Sequence, residues 1–326
     1  MGASSDLADR RILVTGATGF IGSRLVDRLC DAGAEVHAVS RTTQLEEGCG
    51  IRWWLADLED LDAVVKLFAS IKPEVVFHLG GNVSGQPSPE LVMPMLRANL
   101  ITSISVLEAA RQVGCSRVVL PASSTEPELG PDEDPPTSPY AASKWASWGY
   151  TRMFYSLWDV PAVLLRTTMV YGPGQSDPRK LIPSVVTSLL GGAAPRLSSG
   201  RDRYDWVYID DVIDAMLLAL AAPRVVGETV EVGSGELVSV RELVERLGRV
   251  MDPGVELTFG QAPDRPSPPA RVADAARTQK LLGWRAATGL DKGLEQTVAW
   301  FRSRASAGMF LPFEPMEALA RVAVGA

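Results

Sequence analysis

The chain has 326 residues, with 32 Lys and Arg against 39 Asp and Glu, and a formal net charge of −7. Hydrophobic residues make up 46% and charged residues 22%, a balance that supports a sizeable buried core and excludes disorder or a fibrous repeat for most of the chain. The mild acidic excess excludes the electrostatic footprint of a nucleic-acid binder or of a protein held on anionic lipid.

The two histidines, His37 and His78, and the three cysteines, Cys30, Cys49 and Cys115, have no metal-ligand spacing. No metal site is expected, and an odd number of scattered thiols reads as a reduced, cytoplasmic protein. The polar start, Met1 to Arg11, lacks an apolar stretch of signal length, and no apolar run approaches the ~20 residues that span a bilayer, so no membrane partner is expected.

Arg11–Thr15 reads as a buried strand that runs straight into Gly16-Ala17-Thr18-Gly19-Phe20-Ile21-Gly22, with a helical pattern at Leu25, Val26 and Leu29 behind it. Glycines at this spacing allow a tight turn, close approach of backbone to a pyrophosphate and close helix–strand packing. The helix N-terminus then offers free N–H groups to the phosphates. Val36–Ser40 is the second strand. An acid after it would grip the ribose 2′-hydroxyl of NAD, whereas Arg41 offers a charge-assisted fork to a 2′-phosphate or stands as a solvated loop arginine. NADP(H) is therefore preferred, with NAD(H) as the alternative. Ile51–Leu55 is the third strand, and Asp57-Leu58 beyond it suits the adenine edge. A helix carries Leu61, Val64, Val65 and Phe68. The fourth strand, Val75–Leu79, ends at Leu79-Gly80-Gly81, where small residues admit the cofactor.

Val118–Leu120 is the fifth strand, with Ser123-Ser124-Thr125 at its end, and Val163–Leu165 is the sixth. Between them Tyr140-Ala141-Ala142-Ser143-Lys144 opens a helix. The spacing places Tyr140 and Lys144 one turn apart on one face, and an ammonium beside a phenol lowers the phenol's pKa from ~10. Tyr140 is then a usable acid or base near neutrality, with a hydroxyl from the serine–threonine run to hold a substrate oxygen. The same helix carries Trp145, Trp148, Tyr150, Met153, Phe154, Tyr155 and Trp158, and a helix apolar on all sides must be covered on all sides. The cover is either a partner subunit or the chain's own second lobe.

Strand–helix alternation predicts an α/β fold, a Rossmann-type doubly wound parallel sheet with a smaller C-terminal α/β lobe. Residues 1–170 form the dinucleotide-binding domain, to which 204–235 return. Residues 171–203 and 236–302 form the smaller lobe, and 303–326 a C-terminal extension. Within the lobe, Ser239 and Glu242 have capping-box spacing that starts a helix, and 260–270 is a Pro-rich surface loop.

These motifs resemble the extended short-chain dehydrogenase/reductase family, in its nucleotide-sugar epimerase/dehydratase branch. The likeness runs from Ile12 to about Arg302. It rests on Gly16-x-x-Gly19-x-x-Gly22, Asp57, Asn99, Tyr140-x-x-x-Lys144, Tyr171-Gly172-Pro173-Gly174 and the run from Asp205 to Val212. The resemblance implies that Lys144 also binds the nicotinamide ribose and that Asn99 supports the active-site helix beside the cofactor. Counting back from Leu129-Gly130, where the family has Tyr-Gly, puts Thr125 in the catalytic hydroxyl position, with Ser124 in reserve. Ser124 and Glu126 are expected on the substrate side. Arg203 matches an arginine that contacts the nucleotide diphosphate, and Lys180 and Arg271 are further candidates. The family's dehydratases carry Thr-Asp-Glu, whereas this chain has Thr125-Glu126-Pro127, so the second acid is missing and dehydration is disfavoured.

The reading that follows is an NADPH-dependent ketoreductase acting at C4 of a nucleoside-diphosphate (dTDP) 4-keto-6-deoxyhexose, similar to those that make 6-deoxyallose or fucose for antibiotic glycosylation. A 4-epimerase with tightly bound NAD is the alternative. A non-catalytic binding module ranks last, since Tyr140 and Lys144 are both present. By resemblance the chain pairs as a homodimer through the helix that begins at Tyr140.

Overall fold

A computed structural model describes residues 7–44, 50–127, 135–252, 254–264 and 270–308. Cys49, Leu129-Gly130, the middle of the Pro-rich loop and the extension beyond residue 308 lie outside the described residues.

The first half alternates as expected. It runs β1 (Arg11–Thr15), α1 (Phe20–Asp31), β2 (Glu35–Ser40), β3 (Arg52–Leu55), α2 (Leu61–Ile71) and β4 (Val75–His78). Then come α3 (Val92–Met95), a π-helical turn at Leu96–Ile101 and α4 (Thr102–Val113), followed by β5 (Arg117–Ser123), α5 (Pro139–Trp158) and β6 (Ala162–Thr167). The second half holds β7 (Met169–Tyr171), α6 (Leu181–Leu190), β8 (Arg203–Tyr208), α7 (Ile209–Ala221), β9 (Thr229–Val232), β10 (Leu237–Ser239), α8 (Val240–Met251), α9 (Ala275–Leu282) and α10 (Leu290–Ser306).

The main sheet has seven parallel strands in the order β3-β2-β1-β4-β5-β6-β9. Strand alternation divides its core in two. Ile12, Val14, Val36, Ala38, Val75, Phe77, Val163 and Leu165 face α1 and α7. Leu13, Val39, Val76, Val118, Leu120 and Leu164 face α2, α4 and α5. Strands buried on both faces read as continuous apolar runs, which is why they were legible. The turn from β1 and the end of β4 are neighbours, with Thr15 opposite His78.

The return to the main sheet is made by α7 and β9. β8, inside the segment expected to return, instead pairs with β7 and β10 in a separate three-stranded sheet. That small sheet and α6, α8 and α10 form the second lobe, whose apolar residues continue the α1/α7 core. Ser239 caps α8 as its spacing predicts, its hydroxyl accepting from the Glu242 N–H at 3.1 Å.

Two expectations are corrected, and one open alternative is narrowed. Cys30 on α1 is disulfide-bonded, whereas Cys115 is a buried free thiol, so the thiols are not all reduced. The continuous helix Pro89–Val113 does reach the length and apolarity of a membrane span, with a mean hydropathy of 1.3 in its best window. Its second half, α4, packs between α2 and α5 with Val106, Leu107, Ala109 and Ala110 in the core, while Val92 and Met93 at its start are exposed. The helix α5 is not covered on all sides by its own chain: Trp145, Tyr150, Tyr155, Leu157 and Trp158 are exposed.

Asp205 of β8 joins the two halves of the second lobe. Its carboxylate, 1% exposed, accepts from the Ser234 N–H (2.6 Å) and hydroxyl (2.7 Å), the Gly235 N–H (3.1 Å) and the Ala273 N–H (3.0 Å). Asp205→Ala strips four buried donors of their acceptor. It is expected to lower the stability by at least about 3 kcal/mol, seen as a lower urea midpoint at an unchanged slope.

Candidate functional site

The carboxyl ends of β1, β2 and β4 form a crevice whose walls touch backbone to backbone. Gly16 sits at φ +67°, and a Cβ there would lie 2.6 Å from the backbone of Leu79 and Gly80. At Gly22 a Cβ would run into the Gly16 carbonyl, so α1 packs directly on the turn. Gly19 caps α1 without a side chain, and no acid stands in the first turn, so the helix end keeps its donors. Thr18 is exposed beside it, and Phe20 and Ile21 are half-buried. Gly174 closes over this turn, 3.7 Å from Phe20 if it bore a Cβ.

Leu58 reaches the far wall, 3.6 Å from where a Gly80 Cβ would stand, while Asp57 is exposed and accepts from the Glu59 N–H at 3.0 Å. Arg41 is exposed just past β2, on a turn in which the Ser40 hydroxyl accepts from the Thr42 N–H (3.2 Å) and the Gln44 amide (3.3 Å). A cradle that admits backbone and excludes even one methyl fits a dinucleotide pyrophosphate.

The expected catalytic residues converge beyond the ends of β4 and β5. Ser138 caps α5, its hydroxyl accepting from the Ala141 N–H at 3.2 Å, and Pro139 fills the first turn. Tyr140 and Lys144 therefore face the sheet one turn apart. Ser123 lies near enough to the Tyr140 phenol to favour its phenolate by hydrogen bonding, and the Ser123 hydroxyl is 2.8 Å from the Thr125 hydroxyl. Lys144 donates to the Pro121 carbonyl at 3.2 Å.

Burial, more than any neighbour, sets the protonation here. It pushes Tyr140 up to about 12, assisted by the charge of Glu126, and brings Lys144 down to about 8 against the pull of the same carboxylate. The expected depression of the phenol is thus reversed in the bare chain, because the desolvation of a phenolate outweighs its polar neighbours. His78 is buried and pushed down to about 3, so it is neutral. It is 2.8 Å from the Thr15 hydroxyl, which also accepts from the Gly80 N–H at 3.0 Å.

Two of the expected ligand residues, Glu126 and Asn99, are turned inward. Glu126 does not face a substrate: its side chain is 0% exposed and turned into the core, accepting from the Ser123 N–H (2.5 Å) and from Arg166 on β6 (3.2 Å). Asn99 is buried in the π-helical turn. Its side chain grips the Asn82 backbone through both polar atoms (2.8 and 3.1 Å) and donates to the Ser143 hydroxyl on α5 (2.9 Å). Gly81 allows this, since a Cβ would lie 2.6 Å from the Asn99 Oδ1. Asn99 thus braces the end of the fourth strand against the Tyr140 helix.

Ser124 offers only its N–H, to the Thr167 carbonyl (3.3 Å), and its side chain is outside the Ser123–Thr125 pair. Arg203 is exposed and donates to the Leu237 carbonyl at 2.9 Å. Lys180 starts α6, its pKa lowered by burial, and Arg271 is half-buried. The residue that sequence reasoning passed over is Ser123, the last of β5. Its spacing of two from Thr125 was the available signal. Among the described residues no cluster could hold a metal ion.

A buried ammonium at about 8 is charged below that pH and neutral above it. Dinucleotide affinity, read by calorimetry, is expected to weaken as pH rises through about 8, and Lys144→Met is expected to bind more weakly and without that step.

A model of the NAD dependent epimerase/dehydratase family matches residues 12–233. The chain is 33% identical to a UDP-glucose 4-epimerase of Mycolicibacterium smegmatis over 325 residues, covering 90% of this chain and 99% of that one. Among solved structures it is similar to the Thermotoga maritima UDP-glucose 4-epimerase with UDP-glucose (TM-score 0.81, 26% identity, 90% and 99% covered). It is also similar to MoeE5 in complex with UDP-glucuronic acid and NAD (TM-score 0.79, 30% identity, 90% and 99% covered). With its glycine cradle, its seven-stranded parallel sheet and its paired Tyr140 and Lys144, the chain belongs to the NAD dependent epimerase/dehydratase family, an extended short-chain dehydrogenase/reductase.

Proposed function

We propose that the protein is a nucleotide-sugar 4-epimerase that oxidises and re-reduces C4 of a nucleoside-diphosphate hexose. The observation that carries this reading is the line of hydroxyl groups Tyr140, Ser123 and Thr125, beside which, among the described residues, no second acid faces the site. Glu126 is turned into the core and residue 127 is a proline, so neither of these two positions offers an acid to expel water from C5–C6. Chemistry is confined to one carbon. The relative and structures named for 4-epimerases and UDP-sugars support the same substrate class.

The nicotinamide dinucleotide, when bound, supplies the site that takes and returns the hydride. Its pyrophosphate would lie on Gly16, Thr18, Gly19, Phe20, Ile21 and Gly22, with Leu58, Leu79 and Gly80 along the crevice. Tyr140, as the phenolate, would take the proton that the C4 oxygen loses on oxidation and, as the phenol, return it on reduction. This requires the positive charge of the bound oxidised cofactor to bring the phenol down from its value of about 12 in the bare chain. Thr125, coupled to the phenol through Ser123, orients that oxygen. Lys144, one turn along the helix from the phenol, would hold the cofactor ribose. Lys180, Arg203 and Arg271 remain the candidates for the diphosphate, with Arg203 having to leave the Leu237 carbonyl to serve.

A second reading, the NADPH-dependent 4-ketoreductase of a dTDP-4-keto-6-deoxyhexose in antibiotic deoxysugar synthesis, is favoured by two observations. Arg41, which stands after β2 where an acid would favour NAD, suits a 2′-phosphate, and a phenol held near 12 is a proton donor at neutral pH. The exposed aromatic face of α5, together with exposed Val92 and Met93 on α3, suits pairing of two copies as a homodimer.

Incubation with UDP-glucose or UDP-galactose is expected to interconvert the C4 epimers with no net absorbance change at ~340 nm, since hydride is returned in each turnover. Stoichiometric consumption of NADPH by a 4-keto-6-deoxy sugar, without interconversion, selects the reductase. Tyr140→Phe keeps the ring and loses the proton, so kcat should fall ~10²–10⁴-fold with cofactor affinity little changed. Arg41→Asp should weaken NADP(H) far more than NAD(H) in a binding titration; equal effects on both would remove Arg41 from the cofactor site.

A further inference from the structure

The turn that carries Ser123 and Thr125 is fastened from beneath by ion pairs. Glu126 binds the Ser123 N–H and Arg166, and Arg166 lies 3.6 Å from Glu231 on β9. Glu231 in turn accepts from the Asp274 N–H (2.7 Å) at the start of α9. The Arg166 Nε is buried without a hydrogen-bond partner. Stability does not explain such a chain, because a buried pair replaced by apolar residues of like volume is often neutral or stabilising.

What the pair does is local. Glu126 closes a tight turn on Ser123 by its own N–H to the Ser123 carbonyl (3.2 Å) and its carboxylate to the Ser123 N–H. Ser123 is thereby held at both backbone groups, and its side chain is left to reach Thr125 and Tyr140. We propose that Glu126 is a positioning residue for the reaction: paired with Arg166, it sets the turn after β5 so that the Ser123 and Thr125 hydroxyls stand in line with the Tyr140 phenol.

The proposal rests on the reading of Tyr140 as the proton-transfer group. It adds an electrostatic role, because the Glu126 charge raises both Tyr140 and Lys144. The titratable and charged groups around the phenol are Lys144 on its own helix, Glu126 on the turn, Arg166 on β6 backed by Glu231 on β9, and the neutral His78 on β4. Removal of the Glu126 charge leaves Lys144 and Arg166 as the near charges. The phenol must then lose its proton at lower pH.

The test is Glu126→Gln in the full chain, with two readouts. In protein labelled with ¹³C at tyrosine Cζ, the Tyr140 signal, assigned by its loss in Tyr140→Phe, is expected to titrate at lower pH in E126Q than in the wild type. With a nucleotide sugar, kcat is expected to fall about 10- to 100-fold while KM stays within about twofold, since misplacement of a reacting group acts on the chemical step. Either readout left at its wild-type value overturns the proposal, whatever happens to the melting temperature. If E126Q does not fold, Arg166→Met breaks the pair from the other side and leaves the Glu126 charge. A similar fall in kcat, with no move of the phenol to lower pH, supports the proposal; a kcat within about twofold of wild type overturns it. A wild-type protein inactive on all nucleotide sugars sinks the functional reading, and the NMR titration then decides on Glu126 alone.

Discussion

The crevice exists because two backbones touch. The turn after β1 and the end of β4 approach so closely at Gly16 that no side chain can stand between them, and α1 closes on the same turn at Gly22. Parallel pairing of β1 with β4 sets that contact, and the pairing is itself held by a core layer on each face of the sheet. The rest of the site is arranged around it. β4 must end in small residues, Asn99 must grip the loop that follows, and Ser143 ties that grip to the helix bearing Tyr140.

Desolvation is the second organising force. Lys144, Glu126, Arg166 and Glu231 stand close together at the ends of β5, β6 and β9, two cations and two anions. Coulomb attraction and hydrogen bonds offset the cost of moving them from water, so the cluster persists only as a balanced set. A phenol placed at its edge feels the low-dielectric surroundings more than any single charge. For this reason spacing alone gave the wrong direction for Tyr140: the helix puts Lys144 on the right face, but its ammonium is spent on the Pro121 carbonyl.

Much of the fold could be read in advance because parallel strands, buried on both faces, announce themselves as apolar runs. The glycine turn and the Tyr140–Lys144 pair were legible because local geometry decides them. Three features were not. The role of Glu126 depends on Arg166, distant in sequence, and an acid beside a catalytic threonine reads as substrate-facing until β6 is placed next to β5. The support that Asn99 gives the Tyr140 helix was available only from the family resemblance, because it depends on a π-helical turn, which no propensity foretells. β8 reads as another strand of the main sheet, and only its partners β7 and β10 assign it to the small one. In each case the missing information was a long-range partner.

The arrangement around Asp205 bears on the order in which the chain acquires its structure. This carboxylate is buried in β8, yet the donors that satisfy it come from residues 234, 235 and 273, all later in the chain. The main sheet likewise waits for β9 to complete its edge. During synthesis on the ribosome β1 to β6 can assemble in order of appearance. β8 must stay open to water until residue 273 has emerged, because an unpaired carboxylate in that position would cost several kcal/mol. The second lobe is therefore the last part of the molecule to form. A chain cut short of residue 273 leaves Asp205 without the Ala273 N–H and the second lobe without that closing contact.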